Sequence, residues 1–358
     1  MYTYLEDSPS IWEIAADHVA SNIGNTSVAF ELIKPPAYSL TPRDVQRWHY
    51  AWVKALSILP ENTIVHLQDW YRTSTHKEDP AGYAMPEHVC YCFISRIPAR
   101  PYITTRTRPE KMILSKGVFR TTQSMADFIE SISVFKRIIT MTGLVNFLSL
   151  TTTDLAGSNN SPGLIRQYCQ LVHPEQNTSF CGPSFEKTIR IGEKHCTLQT
   201  VSLPEYFMLN QNPGMVYRSY FTEVTPFHTG FAAPLGIKLP FDHIYNQYIR
   251  IGDANLAIEK LTEKQIWDYK PKINNDHSVH FHCNVFSWTA NGEQLPSIRS
   301  QVNEAITRLG AAPNSDIKGA PQLWCAGIPG NAADLPLFET VSLDLKTAAA
   351  FLIPDSNR

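Results

Sequence analysis

The 358-residue chain has no Gly-x-x-x-x-Gly-Lys-Ser/Thr stretch anywhere. Gly192-Glu193-Lys194 is the nearest imitation, and it lacks both the preceding glycine and the following hydroxyl. A phosphate cradle needs those glycine amides, the lysine and the Mg²⁺-binding hydroxyl together, so nucleotide hydrolysis by this chain alone is not expected. Charge of one sign is lacking as well. With 31 basic and 33 acidic side chains the net charge is −2, which excludes a global field that would draw the protein to nucleic acid or an anionic membrane.

Long apolar runs are missing too. The most apolar stretch, Ile138 to Leu150, is interrupted by Gly143 and Asn146 and is too short to span a bilayer. Glu6 and Asp7 stand where a secretory leader would carry its basic region. The seven cysteines are odd in number and scattered, apart from Cys90 and Cys92, so free thiols in a reducing cytoplasm are expected. No low-complexity tract or short-period repeat occurs.

What is present is a grammar of strands and helices. Ser27 to Ile33 reads as a strand ended by Pro35 and Pro36, after a mixed segment, 1–25, expected to be irregular or a short docking arm. Thr41 suits an N-cap, Pro42 the first helical position and Asp44 the helix N-terminus, while Val45, Trp48, Trp52, Leu56 and Leu59 recur at helical spacing. Ile64 to Trp70 and His88 to Ile97 read as strands. Met125, Phe128, Ile129, Ile132, Phe135 and Ile139 form the stripe of a second helix with Gly143 as its stop. Leu164 to Leu171 reads as a short helix, and Lys187 to Ser202 as two strands around Gly192.

From Asp242 the grammar restarts. It runs through a strand from Ile244 to Ile251, a helix from Ala254 to Ile266 capped by Asp253, and a strand from His280 to Trp288. A helix on Ile298, Val302, Ile306 and Leu309 follows, then a last strand from Gln322 to Ala326. The expected class is α+β, with mostly antiparallel sheets covered on one face by helices and a ferredoxin-like arrangement in each of two halves. The halves, residues 1–215 and 216–358, are expected to meet in the loop-rich passage 205–235. At this length either arrangement can bury roughly three quarters of the unfolded surface.

Candidate chemistry is sparse. His280 and His282 share one face of a strand beside Cys283, which permits a metal, but Phe286 and Trp288 share that face and no second ligand pair follows at zinc spacing. A half-buried polar pair is the favoured reading. His195 and Cys196, adjacent in a strand, point to opposite faces and cannot form a nucleophile–base pair. Cys90 and Cys92 share a face as a core stripe would. Tyr245, Asn246, Gln247 and Tyr248 could stack bases, but only Arg250 lies close, so packing and inter-element hydrogen bonding are favoured. The one basic run comprises Arg96, Arg100, Arg106, Arg108, Lys111 and Lys116, kept irregular by Pro98, Pro101 and Pro109. As an exposed positive loop it is the candidate for docking an acidic partner surface or lipid headgroups.

One stretch is dense in turn residues: Gly319 to Pro336, Gly-Ala-Pro-Gln-Leu-Trp-Cys-Ala-Gly-Ile-Pro-Gly-Asn-Ala-Ala-Asp-Leu-Pro. Gly327, Gly330 and Asn331 can adopt positive φ there, and Pro329 presets φ ahead of them. Its Pro329 to Asp334 segment resembles a PGNAAD stretch in the N-terminal domain of TraG-type conjugation ATPases of type IV secretion. Ala51 to Ala55, Gln68 to Trp70, Asp154 to Gly157 with Pro162 to Leu164, Gly192 to Cys196, His243 to Ile249 and Gly319 to Gln322 resemble the same domain in the same order, from about Ser27 onward. The chain departs from the family in having only Thr262 to His277 where a longer helical insertion is usual, and in stopping at Arg358 without the ATPase domain.

The resemblance implies a non-catalytic docking and assembly domain at the cytoplasmic base of an apparatus that transfers DNA between cells. It further implies a place peripheral to the inner membrane, contacts with inner-membrane and other secretion subunits, self-association within the full-length motor, and no cofactor or catalytic residue in this region. A module binding the transferred single strand is the alternative, and an unfamiliar small-molecule site within 205–235 a third.

Overall fold

The structure, a computed structural model, describes residues 10–352 apart from 16–17, 22–24, 36–38, 79–83, 98–121, 159–160, 175–181, 187, 204–238, 253–277, 309–310 and 316–317. In chain order the first elements are β1 (Ile11–Ile14), β2 (Val19–Ser21), β3 (Thr26–Ile33), α1 (Pro42–Ser57), β4 (Thr63–Glu78), β5 (Ala84–Arg96), α2 (Thr122–Thr140) and β6 (Asn146–Ser149). A small group follows: α3 (Thr152–Ala156), β7 (Gly157–Ser158), β8 (Ser161–Pro162), α4 (Leu164–Gln170) and β9 (Pro183–Ser184). Next come β10 (Ile189–Ile191), β11 (Lys194–Ser202), β12 (His243–Ile251), β13 (Ser278–Thr289), α5 (Leu295–Arg308) and β14 (Ala312–Asn314). The described chain ends with α6 (Ala320–Gly327), β15 (Val341–Asp344) and α7 (Leu345–Ala350).

Thirteen strands form one antiparallel sheet among the described residues, and the fold is α+β. Its ladder holds the same strand order twice. In the sequence β3-α1-β4-β5-α2-β6 the strands lie side by side as β6-β3-β5-β4, which is the ferredoxin-like order, fourth, first, third, second. The strands β11, β12, β13 and β14 repeat it as β14-β11-β13-β12. The second strands of the two units, β4 and β12, pair antiparallel from Ile64↔Arg250 to Tyr71↔His243 and fuse the units into one sheet. The passage expected to divide the halves, and the helix expected from Ala254 to Ile266, lie outside the described residues.

Local signals explain α1 and the end of α2. Thr41 accepts from the Asp44 amide at 3.2 Å while the Thr41 amide donates to Asp44 at 3.1 Å, a reciprocal capping box ahead of Pro42. Past α2, Gly143 adopts φ 70°, the left-handed stop that glycine permits without strain.

Three expectations are corrected. Helices cover both faces of the sheet, not one: Trp48, Trp52, Phe128, Phe135, Val302 and Ile306 of α1, α2 and α5 pack on the first face. Leu155, Tyr168 and Trp324 of α3, α4 and α6 pack on the second. The central strands are therefore buried on both sides, which is why β12 reads as a near-continuous core segment instead of alternating. Residues 322–326 are helical within α6, because Ala320, Leu323, Trp324 and Gly327 bury one helical face and Pro321 sits in the first turn. A short apolar run leaves periodicity unable to separate strand from helix. Finally, the N-terminal segment is not wholly irregular: β1 and β2 pair and extend the sheet beyond β3.

Six cysteines, Cys90, Cys92, Cys169, Cys196, Cys283 and Cys325, are free thiols, as expected; Cys181 lies outside the described residues. No helix among the described residues is long and apolar enough to cross a membrane.

Candidate functional site

The junction of β4, β12 and β13 carries polar side chains on both faces of the sheet. On the second face His66, Gln68, Asn246, Asn284 and His282 stand on adjacent strands in register, Tyr248 opposite His66 and Asn246 opposite Gln68. All are buried. Backbone carbonyls accept only, so the contact of His282 Nδ1 with Glu339 O at 2.8 Å places the proton on Nδ1. Nε2 of that ring then accepts from Asn284 Nδ2 at 3.0 Å. Asn284 Oδ1 accepts from Asn246 Nδ2 at 3.0 Å. Asn246 Oδ1 in turn accepts from His66 Nε2 at 3.1 Å and Gln68 Nε2 at 2.8 Å. The donors all point one way, from His66 to the Glu339 carbonyl, an arrangement in which each bond polarises the next.

Both imidazoles in this chain are neutral. Burial pushes His66 down to about 3, the bond to Asn246 opposing and His282 assisting, and pushes His282 down to about 4. The ring of His66 also stacks on Tyr248 with centroids 4.1 Å apart.

The first face holds an ionic cluster. Lys34 Nζ lies 3.0 Å and His88 Nε2 2.8 Å from Asp69 Oδ1, all three residues buried. Burial alone would raise the Asp69 carboxyl, but the Lys34 ammonium and His88 outweigh it and hold the acid well below its usual range. Burial likewise opposes the charge on Lys34, and Asp69 more than restores it. Tyr71 is sandwiched between the His88 and His243 rings at 4.5 and 4.6 Å.

The turn-dense stretch closes the second face. Gln68 Nε2 donates to Gly327 O at 2.6 Å, Ser27 Oγ donates to Gly330 O at 2.6 Å, and Asn331 Nδ2 donates to Cys325 O at 2.9 Å and Asp334 Oδ2 at 2.7 Å. Of the three residues expected to take positive φ, Gly330 alone does so, at 85°; Asn331 has φ −113° and Gly327 belongs to α6. At Gly157 and Gly163 the two backbones touch: a Cβ on Gly157 would lie 2.3 Å from the Gly163 nitrogen.

Of the sequence candidates, His280 and His282 do share a buried face, whereas Cys283 belongs to the opposite core. Among the described residues no group of three or more His, Cys, Asp or Glu could hold a metal. Burial pushes the Cys169 and Cys283 thiols up to about 12, which removes them as nucleophiles. Tyr245, Asn246, Gln247 and Tyr248 are all buried in β12, where bases could not reach them, in accord with the packing reading. Arg96 closes β5 with its guanidinium 5.9 Å from the Phe128 ring centre, while Arg100, Arg106, Arg108, Lys111 and Lys116 lie outside the described residues. The Lys34–Asp69–His88 cluster was not anticipated. Its residues are far apart in sequence, and no motif links them.

Fold and junction together define a double ferredoxin-like α+β scaffold with a directed hydrogen-bond chain from His66 to the Glu339 carbonyl at its centre. No protein-family model and no curated protein matches the chain.

Proposed function

We propose that the chain is a non-catalytic docking and assembly module of a conjugation-type secretion motor, working through surface contacts with other secretion components. The observation that carries the reading is convergence. Gln68, Asn246 and Gly327, drawn from or beside three of the stretches on which the resemblance to the TraG-type N-terminal domain rests, meet through direct hydrogen bonds at one buried junction. Gly157 and Gly163, from a fourth, meet backbone to backbone. These stretches act as architecture, and the reading assigns no catalytic group or cofactor to the chain. The partners it implies are inner-membrane and other secretion subunits, reached from the cytoplasmic side.

The experiment is competition. Expressed in excess in a donor cell that conjugates, the chain occupies the docking site of the intact motor and lowers DNA transfer, and it co-purifies with inner-membrane secretion subunits. Charge reversal of Arg106, Arg108 and Lys111 to Glu relieves the competition if the basic run is the contact. Unchanged transfer with no co-purifying subunit overturns the reading, and salt-dependent binding of single-stranded DNA would favour the nucleic-acid alternative.

A further inference from the structure

The two outer edges of the eight-stranded double unit are treated differently. At β14, Pro313 occupies the middle of the strand, and proline blunts an edge because it has no N–H to offer. At β6 nothing comparable is found: no charged residue or proline occurs from Ile138 to Thr153. Among the described residues β6 pairs with β3 alone. Leu148 is 55% exposed, and Ile33, diagonal to it on β3, is 43% exposed.

The register decides which backbone groups face outward. Leu150 N donates to Ala29 O at 3.0 Å, so the pair 29:150 is hydrogen-bonded, and in an antiparallel ladder such pairs alternate. The pair Glu31:Leu148 is then hydrogen-bonded to β3 as well. The N–H and C=O of Phe147 and Ser149 point away from the sheet. The Phe147 side chain packs inward against Phe30, with ring centroids 5.6 Å apart, which leaves Leu148 on the opposite, second face.

We infer that β6 is a self-pairing edge, and that two copies of this chain associate through antiparallel β6–β6 pairing about a two-fold axis centred on Leu148. In that register Phe147 of each copy exchanges both backbone hydrogen bonds with Ser149 of the other, four bonds in all. The two Leu148 side chains meet as a non-hydrogen-bonded pair, the closer type. A second copy satisfies this edge because the edge is complementary to itself, as an isologous contact requires. The chain already joins its own two units by antiparallel strand pairing, at β4 and β12. The contact is small, so association is weak and concentration-dependent. It does not depend on the docking role proposed above.

Sedimentation of the purified chain across a wide concentration range tests this. The expected result is a reversible monomer–dimer equilibrium, weakened at least about tenfold by Ser149→Pro, which removes an outward N–H that β3 does not use and fixes φ at that position, and by Leu148→Glu, which sets like charges face to face. Leu148 is exposed, so Leu148→Glu keeps the test intact if the proline variant misfolds. Under mild oxidation Leu148→Cys gives a dimer linked 148 to 148 by mass spectrometry, and Ser149→Cys does not. A chain that stays monomeric at every concentration, as it would if an extended partner peptide were the occupant, overturns the inference, and so does a dimer indifferent to both variants.

Discussion

Gln68 and Gly327 lie 259 positions apart, and the Gln68 amide donates to the Gly327 carbonyl at 2.6 Å in the interior. This bond ties the second strand of the first unit to a helix that follows the second unit, and it shares the Gln68 amide with Asn246 of β12. The junction is thus held by groups whose alternative partner, water, is excluded.

Asn246→Leu removes the centre of the hydrogen-bond chain and leaves His66, Gln68 and Asn284 short of partners. The expected loss is about 3 kcal/mol, since each stranded buried group costs about 1–3 kcal/mol and relaxation recovers part of it. Urea unfolding measures it. A loss near zero would mean that the chain is not closed in solution.

Stability should fall on acidification below neutral pH. His66 and His282 have folded values of about 3 and about 4 against an ordinary 6.5, so between these limits the unfolded state binds protons that the folded state refuses. The contribution is fully present above 6.5 and is lost progressively as pH drops toward 4. Melting temperature followed from pH 7 to 4.5 reads the slope, and His282→Gln should flatten it.

Asp69→Asn strands the Lys34 ammonium in the core. The expected cost is about 3–5 kcal/mol, typical of breaking a buried pair from one side. Replacing Lys34 and Asp69 together by Met and Leu should recover much of it, and a double-mutant cycle by chemical denaturation would show the recovery.

Two glycines with positive φ should respond unequally to alanine. Gly143 has nothing within 4 Å of an added Cβ, so Gly143→Ala costs only left-handed strain, about 1 kcal/mol. At Gly157 the same change adds a clash with the Gly163 backbone at 2.3 Å and should cost several times more. Equal costs at both sites would contradict the close approach of β7 to β8.

The start of α1, the end of α2, the central strands and the α+β class were legible in the chain, because the capping box at Thr41 and Asp44, the apolar stripe of α2 and the Gly143 stop are short-range signals. The make-up of the second unit was not, since it takes its first strand, β11, from ahead of Asp242 and its last, β14, from 312–314. The shared face of His280 and His282 was legible too, expected to be half-buried and found buried. Tertiary contacts decided the rest. Residues 322–326 became a helix because Leu323 and Trp324 bury one helical face against the sheet, a choice that a short apolar run cannot make alone. The second covered face, the fusion of β4 to β12 and the Lys34–Asp69–His88 cluster arise from pairings between distant residues. Their energy comes from excluding water, and that happens only once the strands have met.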